Sequence, residues 1–183
     1  MVQGRPLGEG AGKARAARRN GHSVYRQHHR QSPPLQRWRK RGAEAQAIGR
    51  SRGGRTTKIH TVVDADGRIV AFELTGGHRH DIRPATGLIE PLPAAAALLG
   101  DAAYDCDEFR RFLSARGTTP VIKQNPTRKR LHPFDKDAYK GRNIIERAFS
   151  HLKDWRRVAT RYDKLARNYS STVILAAIIR WWA

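Results

Sequence analysis

The sequence predicts an α/β domain built on a mixed sheet. Three observations carry this. A hairpin pattern near residue 60 precedes everything periodic, two short apolar runs follow it, and each run is succeeded by a segment with helical spacing. A hairpin ahead of crossover connections gives antiparallel pairing first and parallel pairing afterwards.

Residues 1 to 55 mix Arg, Gly, Gln, His and Ala with no period of two or 3.6, the composition of a segment unable to bury a core. Order is expected to begin near Lys58. "KIHTVVDADGRIVAFELTGG" alternates β-branched and aromatic residues around "DADG", a hairpin with Gly67 free to take positive φ and Asp64 and Asp66 as turn residues. In "HRHDIRPATGLIEPL" Asp81 is placed to cap a short helix. "AAALLGDAAYD" reads as a buried strand ending at Asp101. Asp105 is the better-placed cap, opening "CDEFRRFLSARG", a helix with Phe109, Phe112 and Leu113 inward and Gly117 as its stop. "TTPVIKQNPTRKR" is a further strand running into a basic loop. A helix is then expected from about Tyr139 toward Arg157, and "NYSSTVILAAIIRWWA" completes the chain as a largely buried helix behind an Asn/Ser cap region.

Charge narrows the partners. The 183 residues carry 36 Lys and Arg against 16 Asp and Glu, a formal net charge of +20, which favours a polyanion over an acidic small molecule. Residues 1 to 55 hold 14 of those cations and two of the acids. "KARAARR" and "RWRKRG" read equally well as phosphate-tracking runs or as solvated charge. Cys106 is the only cysteine, so no intrachain disulfide or multi-cysteine zinc site is available, and it reads as a half-buried helix residue. The N-terminus lacks an apolar signal region. "TVILAAII" is too short to cross a bilayer before Arg180, so a soluble, cytoplasmic protein is expected.

The stretch "YKGRNIIERAFSHLK" raises the question of chemistry. On a helix, Tyr139, Arg142, Glu146 and Lys153 fall within about 60° of one another, beside an apolar face of Ile145, Ala148, Phe149 and Leu152. Glu146 at the margin of such a face suits a metal ligand, with Arg142 and Lys153 left to meet phosphate. An i,i+4 surface pair between Arg142 and Glu146 explains that part equally well. Asp101 shifts the balance, because the carboxyl end of an apolar strand is where open α/β sheets put ligand sites.

From about Gly49 to Trp182 the chain resembles the DDE transposases of bacterial insertion sequences, in the branch with a Tyr-x2-Arg-x3-Glu-x6-Lys signature. Tyr139, Arg142, Glu146 and Lys153 match it at every spacing, and "GDAAYD", "GRSRGGRTTKIHTVVDADG", "GHRHD" and "RYDKLARNY" resemble the family's recurring blocks in order. The resemblance implies a ribonuclease H-like fold in which two Asp and one Glu hold two Mg²⁺ or Mn²⁺ ions for in-line attack at a phosphodiester. Carried over, Asp101 and Glu146 are catalytic metal ligands, and Arg142 and Lys153 contact DNA phosphates. Tyr139 positions the strand, and Lys123, Arg128, Lys129 and Arg130 add phosphate contacts. The implied partners are double-stranded DNA, as transposon ends and target, and further copies in a homo-oligomer or a mixed oligomer with an intact transposase, in the bacterial nucleoid and not at a membrane.

One family feature is absent. The first Asp, expected on a strand upstream of the Gly/Arg-rich block, has no counterpart, since no Asp precedes Asp64. Glu9 is remote, and Glu44 lies in a polar, non-strand context. The first strand is therefore expected to be missing or degenerate. Residues 1–48 form a basic, disordered segment in this reading, translated from a shifted frame, and residues 49–183 form the catalytic-like domain. A chain lacking one ligand is expected to be impaired. The alternatives are a nonenzymatic DNA-binding protein or inhibitor derived from a transposase and, ranked last, a basic RNA-binding protein.

Overall fold

The computed structural model describes residues 42–52, 54–129 and 131–183 in full and the backbone of 21–31. One six-stranded sheet organises them. It comprises β1 (Gly21–Gln31), β2 (Gly49–Ser51), β3 (Gly54–Val63), β4 (Ile69–Gly76), β5 (Ala97–Gly100) and β6 (Thr119–Ile122), in the order β2-β3-β1-β5-β6 with β4 also on β3. The pairs β1/β3, β2/β3 and β3/β4 are antiparallel, whereas β1/β5 and β5/β6 are parallel. The mixed sheet expected from the sequence is present.

The first strand corrects an expectation. It was expected to be missing or degenerate; it is not missing but lies at the centre of the sheet, pairing Ser23 with Val63 on one side and with Leu99 on the other. The physical reason is the ladder: β3 and β5 each present a row of N–H and C=O groups that only an intervening strand satisfies. Val24 and Tyr25 supply strand-favouring residues for it. β1 also carries the sheet across the boundary expected at residue 48. Residues 1–20, 32–41, Gly53 and Arg130, including "KARAARR" and most of "RWRKRG", lie outside the described residues.

The β3–β4 hairpin forms as expected. Asp64 Oδ1 accepts the N–H groups of Asp66 and Arg68, both at 2.9 Å, and Gly67 takes φ +83°, a conformation a side chain resists.

Alternation along β3 sends residues to two cores. Ile59 and Val63 join Ile69 beneath α4 (Asn143–Asp154), α5 (Arg156–Ala159) and α6 (Ala166–Trp181), whose Ile145, Phe149, Leu152, Val158, Tyr169 and Val173 are buried there. Val62 faces the opposite way. It packs with Leu98 and Ile122 under α1 (Ala85–Ile89) and α2 (Asp107–Ala115), which contribute Leu88, Ile89, Phe109 and Leu113. Helices thus cover both faces.

Four local expectations need correction. Asp81 does not cap α1, whose N-cap is Pro84 with no side-chain bond. It faces Lys58 Nζ at 3.1 Å, with both side chains 7% exposed, because a buried ammonium requires a counter-charge. Asp105 does not cap α2, whose N-cap is Cys106 with no side-chain bond; Asp101 caps the preceding 3-10 turn at Ala102–Tyr104, its Oδ1 accepting from Ala103 N at 3.0 Å. The helix expected from Tyr139 to Arg157 is divided into α3 (Lys136–Tyr139), a 3-10 turn at Lys140–Arg142, α4 and α5. Gly141 sits in that turn, where glycine weakens a helix, and the turn faces Leu99. The last correction concerns α6. Tyr169, Val173, Ala176 and Ala177 are buried, but Ile174, Leu175, Ile178 and Ile179 on the opposite side are exposed, so the helix has only one covered face.

Arg161 fastens this body together. Its side chain is buried and donates to the carbonyls of Gln46 (2.9 Å), Ala47 (3.3 Å), Asp163 (2.9 Å) and Lys164 (3.3 Å) and to Thr57 Oγ1, with the guanidinium 5.1 Å from the Tyr169 ring centre. Replacing it leaves several buried acceptors unpaired, at about 1–3 kcal/mol for each stranded group. Arg161→Met is therefore expected to lose about 3–5 kcal/mol in urea unfolding.

Candidate active site and nucleic-acid interface

β5 ends at Gly100, and Asp101 continues it with extended backbone (φ −79°, ψ 178°). Alternation therefore puts Asp101 on the face of Leu99. That face meets the 3-10 turn ahead of α4: a Cβ added to Gly141 would lie 3.4 Å from Leu99 Cδ2. α4 starts directly behind the contact and brings Glu146 one turn later.

The signature residues form a chain of contacts despite the helix break. A 3-10 turn stacks residues three apart, which keeps Tyr139 and Arg142 together. The Arg142 guanidinium lies 5.4 Å from the Tyr139 ring centre, and its Nη2 donates to Glu146 Oε1 at 2.6 Å. Tyr139 is braced edge-on by Phe134, centroids 5.0 Å apart, and Asp135 caps α3 through the N–H groups of Asp137 and Ala138. Lys153 lies farther along α4, half-buried, and Glu146 is partly exposed.

The basic loop after β6 is held by a carboxylate that the sequence reading took for a helix opener. Asp105, whose side chain is fully buried, accepts Asn125 N (2.8 Å), Arg110 Nε (2.8 Å) and Arg128 Nη1 (2.8 Å). Arg128 also pairs with Asp107, which receives His132 Nε2 at 2.8 Å. Burial alone would raise the Asp105 pKa, but the Asn125 N–H and the two guanidinium groups outweigh it and hold the carboxyl below the usual range. The His132 and Arg128 bonds likewise lower that of Asp107. Arg128 is thus committed to two carboxylates and clips the loop. Lys123 and Lys129 are exposed, and Arg130 is outside the described residues. The i,i+5 spacing of Asp105 and Arg110 was the available signal for this clip.

Among the described residues no third carboxylate accompanies Asp101 and Glu146. β1 neighbours Asp101 through the Val24–Gly100 register, which makes Tyr25 the next position, and "GHSVYRQHHRQ" contains no acid. Glu44 is held by Arg79, whose side-chain bond lowers its pKa, and Asp64 is engaged in the hairpin turn. Among the described residues no three His, Cys, Asp or Glu side chains are grouped to hold a metal. The donors present do not fit a two-ion centre.

A mixed sheet with helices on both faces, an Asp following β5 and a Glu on α4 define an α/β protein. Residues 13–181 match the profile of the family described as Transposase DDE domain, and the chain belongs to that family. It is 39% identical over 127 residues to a Brucella ovis protein named as a transposase for insertion sequence element IS6501, covering 69% of this chain and 98% of that protein. It is 29% identical over 157 residues to a Burkholderia cepacia protein named as a transposase for IS402, covering 80% and 71% respectively. β1 lies inside the family match.

The clip makes a pH prediction. Asp105 has a depressed folded pKa, so its stabilisation is present above the unfolded carboxylate value of about 4 and is lost as pH falls through the folded one. Asp105→Asn strands buried Arg110 and is expected to lose about 3–5 kcal/mol at neutral pH. Its unfolding midpoint should also vary less with pH below about 4 than that of the parent chain, as followed by circular dichroism.

Proposed function

We propose that this chain is a bacterial insertion-sequence transposase homologue with a ribonuclease H-like core, which engages double-stranded DNA and is impaired in strand cleavage. The observation that supports this reading is that the turn preceding α4 lies against Leu99 of β5, two residues before Asp101, while α4 carries Glu146. The strand order supports the core assignment, with four strands in antiparallel ladders followed by two parallel to the first.

In this reading Asp101 and Glu146 are the surviving carboxylates of a metal-dependent phosphodiester centre. Divalent metal is what the family generally employs, and two carboxylates without a third offer Mg²⁺ or Mn²⁺ a single weak site at most. Arg142 holds Glu146 in place and shares its charge with an approaching phosphate. Lys153 and the exposed Lys123 and Lys129 add backbone contacts, and Tyr139 orients the strand. A domain starting no later than β1, instead of at residue 49, is part of the proposal. The carboxylate-free β1 favours a second reading, a nonenzymatic DNA-binding inhibitor that forms mixed oligomers with an intact transposase.

DNA binding is expected to tolerate sequence changes and to weaken steeply between low and physiological salt, because phosphate neutralisation dominates. Fluorescence anisotropy on unrelated duplexes measures this, and an affinity indifferent to salt contradicts it. With Mg²⁺ or Mn²⁺, transposon-end DNA should show little or no cleavage or strand transfer on a denaturing gel. Robust cleavage that disappears in Glu146→Gln would mean that another acid completes the centre and that the impaired reading is wrong.

A further inference from the structure

Around α4 from Glu146 lies a second concave surface that the signature residues do not use. A cleft of about 310 Å³ opens between the β3–β4 turn, α4 and the C-terminal end of α6. Its wall is firm: a Cβ on Gly67 would lie 3.1 Å from Ile144 Cγ1, so the turn sits hard against the helix.

The lining joins cations to an apolar floor. The cations are Arg147 and Arg180, and His151, Ile144 and Trp181 line the cleft with them. Arg180 Nη2 lies 3.0 Å from His151 Nε2 and donates to it, and the imidazole meets the Trp181 ring edge-on at 6.4 Å. Asp66, the one carboxylate in the lining, lies 3.4 Å from Arg68. Arg147 is exposed and makes no hydrogen bond or ion pair among the described residues. An arginine without an anion among the described residues, lining the same cleft as a second arginine and an indole, matches phosphate and base recognition together.

We propose that this cleft takes one unpaired nucleotide of a DNA strand, with its phosphate on Arg147 and Arg180 and its base against Trp181. A duplex does not fit, since its bases are stacked inside a convex cylinder, whereas a cleft of about 310 Å³ is the size of a small-ligand site. Arg147 follows Glu146 on α4, about 100° around the helix, so a strand passing Glu146 is led to the cleft. The inference rests on the DNA-binding reading of the whole chain and adds an unpaired strand end as the species held.

Anisotropy titrations of the full chain with a blunt duplex, the same duplex carrying a short thymidine overhang, and that overhang made abasic provide the test. The parent chain should prefer the thymidine overhang to the abasic one. Arg147→Ala should weaken overhang binding about tenfold, the loss of one charge-assisted contact, and change blunt-duplex binding by less than about twofold. Arg147→Lys should recover part of the loss, because it restores the charge without the fork. Arg147 has no partner to lose among the described residues, so an unchanged thermal midpoint is expected and separates binding from folding. Equal effects on blunt and overhang DNA, no effect of Arg147→Ala on either, or equal binding of abasic and thymidine overhangs would overturn the inference while leaving the DNA-binding reading intact. A parent chain that binds none of the three would overturn both.

Discussion

A charged side chain fully inside a protein must have its hydrogen bonds met there, and Arg161 meets them with neutral oxygens. Its acceptors come from two distant stretches, residues 46–57 and 163–164, so one guanidinium closes the described body across more than a hundred positions. Tyr169 stacks against it from α6 and sends its hydroxyl to Val158 O at 2.9 Å, which fixes the connector between α5 and α6. With α6 placed, α4 is held between α6 and the sheet, and the position of Glu146 follows. The site depends on an interaction that is not part of it.

Most of the architecture could be read from local pattern. The β3–β4 hairpin is written in alternation and in "DADG", and the buried side of α4 in the spacing of Ile145, Phe149 and Leu152. What escaped was set by partners remote in sequence. Nothing around Arg161 marks it as interior, since its partners are backbone carbonyls. Asp105 looked like a cap because its partners, Arg128 and Asn125, lie about twenty residues ahead. β1 was unreadable for a related reason: its polar composition hides a strand whose place is fixed by the ladders of β3 and β5 on either side.

The candidate site was legible in its residues and less so in its scaffolding. Arg142, Glu146 and Tyr139 do associate, but through a 3-10 turn that a uniform helix would not contain. The turn matters, because it is where the chain comes down on β5 beside Asp101. The metal centre illustrates the reverse. Asp101 and Glu146 sit beside β5 and on α4, yet the sequence of the central strand brings no carboxylate, so the fold persists where the proposed donor set is short. Backbone pairing maintains the first property and single side chains the second, and the two can be lost independently.

The outer side of α6 has a consequence of its own. Ile174, Leu175, Ile178, Ile179 and Trp182 form a strip without charge on a molecule of formal charge +20. Mutual repulsion keeps such strips apart in dilute buffer, and its range shrinks from about 30 Å at 0.01 M ionic strength to about 8 Å at 0.15 M. The same screening leaves apolar attraction undiminished. Salt therefore acts as a colloidal switch for this chain: ions that loosen its hold on a polyanion also remove the barrier that keeps one molecule from sticking to the next.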